Sequence, residues 1–251
     1  MSRIMIVPAA GRGTRLGSSL PKLLVPVNGR PMIDHILDRY ATVISMFILV
    51  VSPSAEEEVL GHCRGRPGTI EVVRQDSPTG MLDAILIPRD RVGQLRPDEV
   101  WITWCDQVAV QDGTVHRLAD LMRSGRPPSL GFPTLVLPEP YIHFPRHPDG
   151  GIAGVLHRRE GDPMPARGEG DLGLFALTGS TYLELLPEYA RIAPLGAVTG
   201  ERNFLPFIPW LAQRSSVRTV PALSPMEAVG INTPAELERV AEFLAGVSGK
   251  R

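Results

Sequence analysis

The order of the apolar segments constrains this chain more than any other feature. Residues 4–7 and 46–51 are short, continuous apolar runs, and residues 70–74 and 100–104 read as two further strands. A continuous run such as 46–51 suits a parallel strand covered on both faces. Between the strands, residues 31–40 place Met32, Ile33, Ile36, Leu37 and Tyr40 at helical spacing. Residues 55–60 form a short acidic helix candidate, 79–92 a longer one, and 114–122 another after the fourth strand. Strand and helix thus alternate to about residue 125, which predicts a mainly parallel sheet with right-handed crossovers. The second half is less regular. Strands are expected at 130–137, 152–157, 172–177 and 217–220, and helices at 181–189 and 203–213. The apolar 201–213 stretch is interrupted by Pro206 and Pro209, so it reads either as a kinked core helix or as a pocket wall or homodimer surface. Near the end, Thr233, Pro234 and Glu236 supply an N-cap, a first-turn proline and a capping-box acid for a last amphipathic helix. Gly230, Ile231 and Asn232 are therefore expected at a strand-to-helix corner, where α/β sheets gather ligands.

At 251 residues and 43% hydrophobic, the chain can bury one sizeable core and is expected to be one domain over 1–251. Lys plus Arg is 26 and Asp plus Glu is 27, a net charge of -1, so no global field favours nucleic acid or an acidic membrane. Cys63 and Cys105 form neither a metal-type spacing nor a disulfide framework, which suits thiols of the cytoplasm. The apolar run at 4–10 is too short to span a membrane and lacks the flanks of a signal peptide.

Chemistry concentrates in Pro8-Ala9-Ala10-Gly11-Arg12-Gly13-Thr14-Arg15-Leu16 and the following Leu20-Pro21-Lys22. Small residues after a buried strand let backbone N–H groups approach a polyphosphate. Arg15 can fork onto phosphate oxygens, and Lys22 can place a point charge on another. The pattern is not a Walker A loop, because no Gly-Lys-Ser/Thr closes it, nor G-x-G-x-x-G, because Gly17 falls one residue late.

Residues 4–37, with Ala-Ala-Gly-x-Gly-Thr-Arg, Leu-Pro-Lys and Gly29-Arg30-Pro31-Met32, resemble the sugar-phosphate nucleotidyltransferases. The resemblance is nearest to the uridylyltransferase domain of bacterial N-acetylglucosamine-1-phosphate uridylyltransferases, and the 7–11 start is also similar to cytidylyltransferases of isoprenoid synthesis. It implies an α/β, Rossmann-like three-layer fold with a mainly parallel mixed sheet. It further implies an NTP-binding half over 1–125, an acceptor-binding half over 126–228, and a metal-ligand corner and helix over 229–251. Ala9, Ala10, Gly11, Gly13 and Thr14 would hold the nucleotide, with Gln75, Thr79 and Gly80 where the family reads the base. Arg15 and Lys22 would be catalytic. Asp106, in Trp104-Cys105-Asp106, and Asn232 match the family's metal ligands. One carboxylate and one amide oxygen suit Mg²⁺, which prefers oxygen and takes few protein groups directly. His157 and Asp171 stand where the uridylyltransferases carry an acceptor-binding Glu and Asn, which argues against N-acetylglucosamine 1-phosphate as the acceptor.

The expected reaction joins an NTP to a small phosphorylated acceptor, a sugar 1-phosphate, releasing pyrophosphate. The rivals are a cytidylyltransferase for a phosphorylated alcohol and a protein that binds an NDP-sugar without chemistry. A glycosyltransferase would carry Asp-x-Asp at the metal strand, whereas this chain has Asp106-Gln107-Val108.

Overall fold

The computed structural model describes residues 1–11 and 14–248. β1 (Arg3–Ala9) opens the chain, and single 3-10 turns follow at Thr14–Leu16 and Lys22–Leu24. A small hairpin, β2 (Pro26–Val27) and β3 (Arg30–Pro31), leads into α1 (Met32–Tyr40). Then come β4 (Met46–Val51), α2 (Glu56–Cys63), β5 (Thr69–Arg74), α3 (Met81–Leu86), α4 (Arg89–Leu95), β6 (Glu99–Thr103) and α5 (Asp112–Met122). The alternation read from the sequence is therefore present. The second half holds β7 (Leu130–Pro138), β8 (Ile142–His143), β9 (Leu156–His157), β10 (Arg167–Asp171) and β11 (Leu174–Thr178). It ends with α6 (Leu186–Ala190), α7 (Phe207–Ala212), β12 (Val217–Pro221) and α8 (Pro234–Ser248).

One eight-stranded sheet runs β10-β7-β11-β6-β1-β4-β5, with β12 added alongside β7. β6, β1, β4 and β5 are mutually parallel, and β12 is parallel to β7. β11 runs antiparallel to both β6 and β7, and β10 antiparallel to β7. The sheet is mixed but mainly parallel, as expected. Alternate side chains of β1 feed two separate cores. Met5, Val7 and Ala9 pack with α1, α5 and α8 on one face, while Ile4 and Ile6 pack with α3, α6 and α7 on the other. Two covered faces explain why β4, and β1 from Ile4 onward, are apolar throughout.

Prolines account for three departures from the sequence reading. The helix expected over 79–92 is split at Pro88 into α3 and α4, and residues 79–80 stay outside it. The helix expected over 203–213 shrinks to α7, with Pro206 as its N-cap. Phe204, Leu205, Phe207, Ile208 and Leu211 are buried within the chain, so this segment is a kinked core element. Residues 181–185 form a π turn just before Pro187, which removes a backbone donor from the following turn of α6. Two further differences concern strands. Within 152–157, Leu156–His157 pairs with β8 in a separate two-stranded sheet and Ile152 makes an isolated bridge to Arg146, and β10 has no counterpart in the sequence reading, because its Arg-Gly-Glu-Gly-Asp sequence has low strand propensity. No helix among the described residues is long and apolar enough to cross a membrane.

Candidate functional site

Strand order β5-β4-β1-β6 means that the chain builds outward from β1 in one direction, then returns to β1's other side. The crevice beyond the carboxyl ends of β1 and β6 is thus the switch point where open α/β sheets take ligands. β1 delivers Ala9, Ala10 and Gly11 there, the two alanines buried and Gly11 exposed. Gly13 lies outside the described residues, and Thr14 begins the 3-10 turn that carries Arg15. Beyond β6, Cys105 and Asp106 form a turn. Burial pushes the Cys105 thiol up to about 12, so it is a neutral packing group.

The third contributor is the segment before α8. Asn232 does not end a strand, contrary to the sequence expectation, because 229–232 is irregular. It is docked instead by a backbone bond from Ile231 N to the Asp106 carbonyl, 3.2 Å. Behind it, the Glu236 carboxylate accepts from Asn232 N, Thr233 N and Thr233 Oγ1, and Glu236 N donates back to Thr233 Oγ1. This capping box fixes the corner. Gly230 is the residue that lets the corner close on Asp106: a Cβ there would lie 3.3 Å from Asp106 Oδ1 and 3.4 Å from Asn232 Nδ2.

These three elements bring four of the expected residues together. Lys22 Nζ donates to Asp106 Oδ2 at 2.5 Å and to Asn232 Oδ1 at 2.9 Å. Arg15 Nη2 donates to the same Asn232 Oδ1 at 3.2 Å. The Lys22 and Asp106 side chains are 11% and 13% exposed, so the pair is largely shielded from water. Burial alone would lower the Lys22 pKa, but the Asp106 charge and its hydrogen bond outweigh that and hold the ammonium above its ordinary value. Lys22 and Lys250 are the chain's two lysines among 26 cationic Lys and Arg side chains. A chain that uses arginine almost everywhere has at this point a compact ammonium, which can sit between two oxygens without a fork geometry.

Asp106 and Asn232 could hold a divalent cation. Both oxygens already contact one ammonium, a cation standing between two hard oxygen donors. Among the described residues no three His, Cys, Asp or Glu side chains converge on a metal-sized site. A cation on this pair would therefore complete its shell with water and phosphate oxygens, the habit of Mg²⁺.

The remaining expected residues fall in two groups. Gln75 follows β5, its N–H donating to the Val51 carbonyl at 2.8 Å, and its buried side-chain Nε2 has no partner among the described residues. Thr79 and Gly80 are held from an unexpected direction. Arg202 N donates to the Thr79 carbonyl and Leu82 N to the Arg202 carbonyl, each 3.0 Å. Gly80 has φ +134, and a Cβ would stand 2.4 Å from Arg202 N, so this contact requires glycine.

Asp171 and His157 are not brought into one pocket. Asp171 ends β10 at the turn into β11, beside β6: its Oδ1 accepts from Gly173 N at 2.6 Å, and Trp104 N donates to the Gly173 carbonyl. Its Oδ2 is buried without a partner among the described residues, and burial raises the carboxyl to about 6. His157 instead lines a cavity of ≈ 100 Å³ with Glu160, Asp162, Asn203 and Leu205. Burial lowers the His157 pKa despite the pull of Glu160, leaving a neutral imidazole at pH 7. Glu160 went unnoticed in the sequence. It accepts from Val198 N, Thr199 N, Thr199 Oγ1 and Asn203 Nδ2, tying the 196–203 segment down.

Comparison with known proteins finds relatives over most of the chain. The "Bifunctional protein GlmU" of Oleidesulfovibrio alaskensis is 28% identical over 248 residues, covering 95% of this chain and 52% of that protein. Its counterpart in Nitratidesulfovibrio vulgaris is 25% identical over the same shares. That of Stutzerimonas stutzeri is 30% identical over 189 residues, 74% of this chain and 40% of the relative. The chain spans about half the length, or less, of these curated relatives. The family model described as "MobA-like NTP transferase domain" matches residues 5–141, a stretch that contains the β1 loop, Lys22, Gln75, Thr79, Gly80 and Asp106. That match covers more than half of the sequence, and the chain belongs to the MobA-like NTP transferase domain family.

Proposed function

We propose that the chain is a nucleotidyltransferase that couples an NTP to a phosphorylated small molecule, a sugar 1-phosphate, and releases pyrophosphate. The observation that carries this reading is the convergence of Lys22, Arg15, Asp106 and Asn232 at the sheet's switch point. Two cationic side chains and a carboxylate–amide pair there are the equipment for a polyphosphate and its cation.

In the proposed reaction an acceptor phosphate oxygen attacks the α-phosphorus of the NTP. A new P–O bond forms, the bond from the α-phosphorus to the bridging oxygen breaks, and pyrophosphate leaves with that electron pair. The attacking oxygen is already ionised, so no general base is needed. Catalysis is positioning and charge neutralisation. Lys22 holds the α-phosphate and the incoming phosphate. Arg15 and the backbone from Gly11 to Thr14, Gly13 included, hold the phosphates that leave. Mg²⁺ on Asp106 and Asn232 would supply charge screening between the two substrates. Gln75, Thr79 and Gly80 face the base, and Asp171 the acceptor's hydroxyls. His157 has a separate cavity whose lining carries Glu160 and Asp162, and carboxylates there repel a phosphate. The His157 end therefore suits the acceptor's far side.

The test is pyrophosphate release over four NTPs crossed with sugar 1-phosphates and phospho-alcohols. Turnover with a sugar 1-phosphate other than N-acetylglucosamine 1-phosphate is the expected result. Best turnover with N-acetylglucosamine 1-phosphate overturns the reading of positions 157 and 171. A preference for a phospho-alcohol with CTP replaces the acceptor class, and no release with any pair overturns the activity.

A further inference from the structure

One oxygen of each residue that would hold the divalent cation is already engaged by the chain's own cations. An amide oxygen offers two lone pairs. Both acceptor positions of Asn232 Oδ1 are taken, one by Lys22 Nζ at 2.9 Å and one by Arg15 Nη2 at 3.2 Å. Asp106 Oδ2 carries the Lys22 ammonium at 2.5 Å. A divalent ion about 2.1 Å from both Asp106 Oδ2 and Asn232 Oδ1 would overlap the ammonium that spans the same two oxygens. Two positive charges at one point in a shielded crevice exclude each other. We infer that Lys22, seconded by Arg15, competes with the divalent cation for Asp106 and Asn232, so that metal is admitted when a polyphosphate draws these two side chains away.

This rests on the proposed placement of cation and nucleotide and adds an order to their binding. Lys22 and Arg15 are the residues assigned to phosphate. One movement toward phosphate frees both ligand oxygens and supplies the oxygens that complete the cation's shell. Without phosphate, the cation must displace a charge-assisted hydrogen bond at each ligand, and bare metal binds weakly. By linkage, metal and polyphosphate each strengthen the other's binding.

The experiment uses the full chain without nucleotide and follows Mn²⁺ by the electron paramagnetic resonance signal of the free ion. Each displaced charge-assisted bond is worth roughly tenfold or more in a binding constant. Lys22→Met should therefore bind Mn²⁺ at least ~10-fold more tightly than the wild type. Arg15→Met, which frees one acceptor position of Asn232 alone, should gain less. The gain of Lys22→Met should vanish when Asp106→Asn is added. It should persist at about 1 M salt, where fields beyond ~3 Å are screened. Near-equal affinities of wild type and Lys22→Met overturn the inference. So do a gain that survives Asp106→Asn, one abolished by salt, and one matched by Arg15→Met. Circular dichroism verifies folding of each variant, and Lys22→Gln, which also removes the charge, should shift affinity in the same direction. Pyrophosphate release in the wild type judges the activity separately, so the competition can fail while the enzyme reading stands.

Discussion

Replacing Asp171 with Asn should flatten one component of the protein's pH–stability curve. Asp171 Oδ1 accepts the Gly173 N–H at 2.6 Å, while Oδ2 is buried with no partner among the described residues. Burial raises the carboxyl from 3.8 to about 6, against the opposing pull of the backbone bonds. A carboxyl whose folded pKa is raised contributes stability that is fully present below the unfolded value and is lost as pH rises through the folded one. The wild type should thus lose stability relative to Asp171→Asn from about pH 4 to about pH 7. Taken at face value, the shift would change the difference between the two proteins by roughly 2 kcal/mol between about pH 4.5 and about pH 7.5. The residue as a whole is partly exposed, which reduces this to about 1–2 kcal/mol. The amide keeps the acceptor for Gly173, so the local turn survives. Urea unfolding of both proteins across this range, with midpoints and slopes compared, gives the difference directly. Every other titrating group cancels in that subtraction unless it couples to Asp171. Parallel curves would refute the buried, unpartnered carboxyl.

Lys22→Ala should lower pyrophosphate release by about two to four decades, the scale of losing a preorganised charge at a phosphoryl transition state. Because Lys22 also bridges Asp106 and Asn232, the variant should melt lower than the wild type in chelator and recover part of that loss in Mg²⁺. Chelator should abolish turnover in the wild type, and Asp106→Asn should raise the Mg²⁺ concentration needed for half-maximal rate. Unchanged activity after exhaustive chelation would remove the cation from the scheme. Gly80→Ala must put a Cβ 2.4 Å from Arg202 N at a φ of +134, and should destabilise by about 2–4 kcal/mol in urea titration. A midpoint equal to the wild type would mean that the Arg202 contact does not hold the 79–80 segment in solution.

The first half of the chain was legible because its information is local. The central strands β1 and β4 are covered on both faces, so β4 and β1 from Ile4 onward appear in the sequence as unbroken apolar runs. The residues that meet at the switch point lie at segment ends, where a strand or helix signal stops. Asp106 follows β6, and Asn232 precedes the capping box of α8. Pattern alone could place those ends on one edge of a sheet. It could not show that Lys22 bridges them, because the bridge joins residues 84 and 210 positions apart.

The second half of the chain hides its organisation in contacts of that long-range kind. Glu160 has no motif around it, yet four donors from Val198, Thr199 and Asn203 converge on its carboxylate. These bonds hold it at about 2, although burial pushes the other way. The neighbouring Gly196 has no space for a side chain, since a Cβ would lie 2.5 Å from the Glu160 carboxylate. At the far end of the same segment, Arg202 pairs its backbone with Thr79 and Leu82. One irregular stretch thus joins the wall of the His157 cavity to the 79–80 segment. The sequence shows glycines and prolines there, which mark a loop without saying what it grips. Phe204, within the helix expected over 203–213, lies before α7 and packs on Trp104 and Phe175 at ring separations of 6.1 and 5.1 Å. Trp104 lies two residues before Asp106 and receives the Gly173 turn that holds Asp171. Substitutions at Glu160 or Phe204 should therefore be felt both at the His157 cavity and at the Asp106 turn, although neither residue belongs to a recognisable motif.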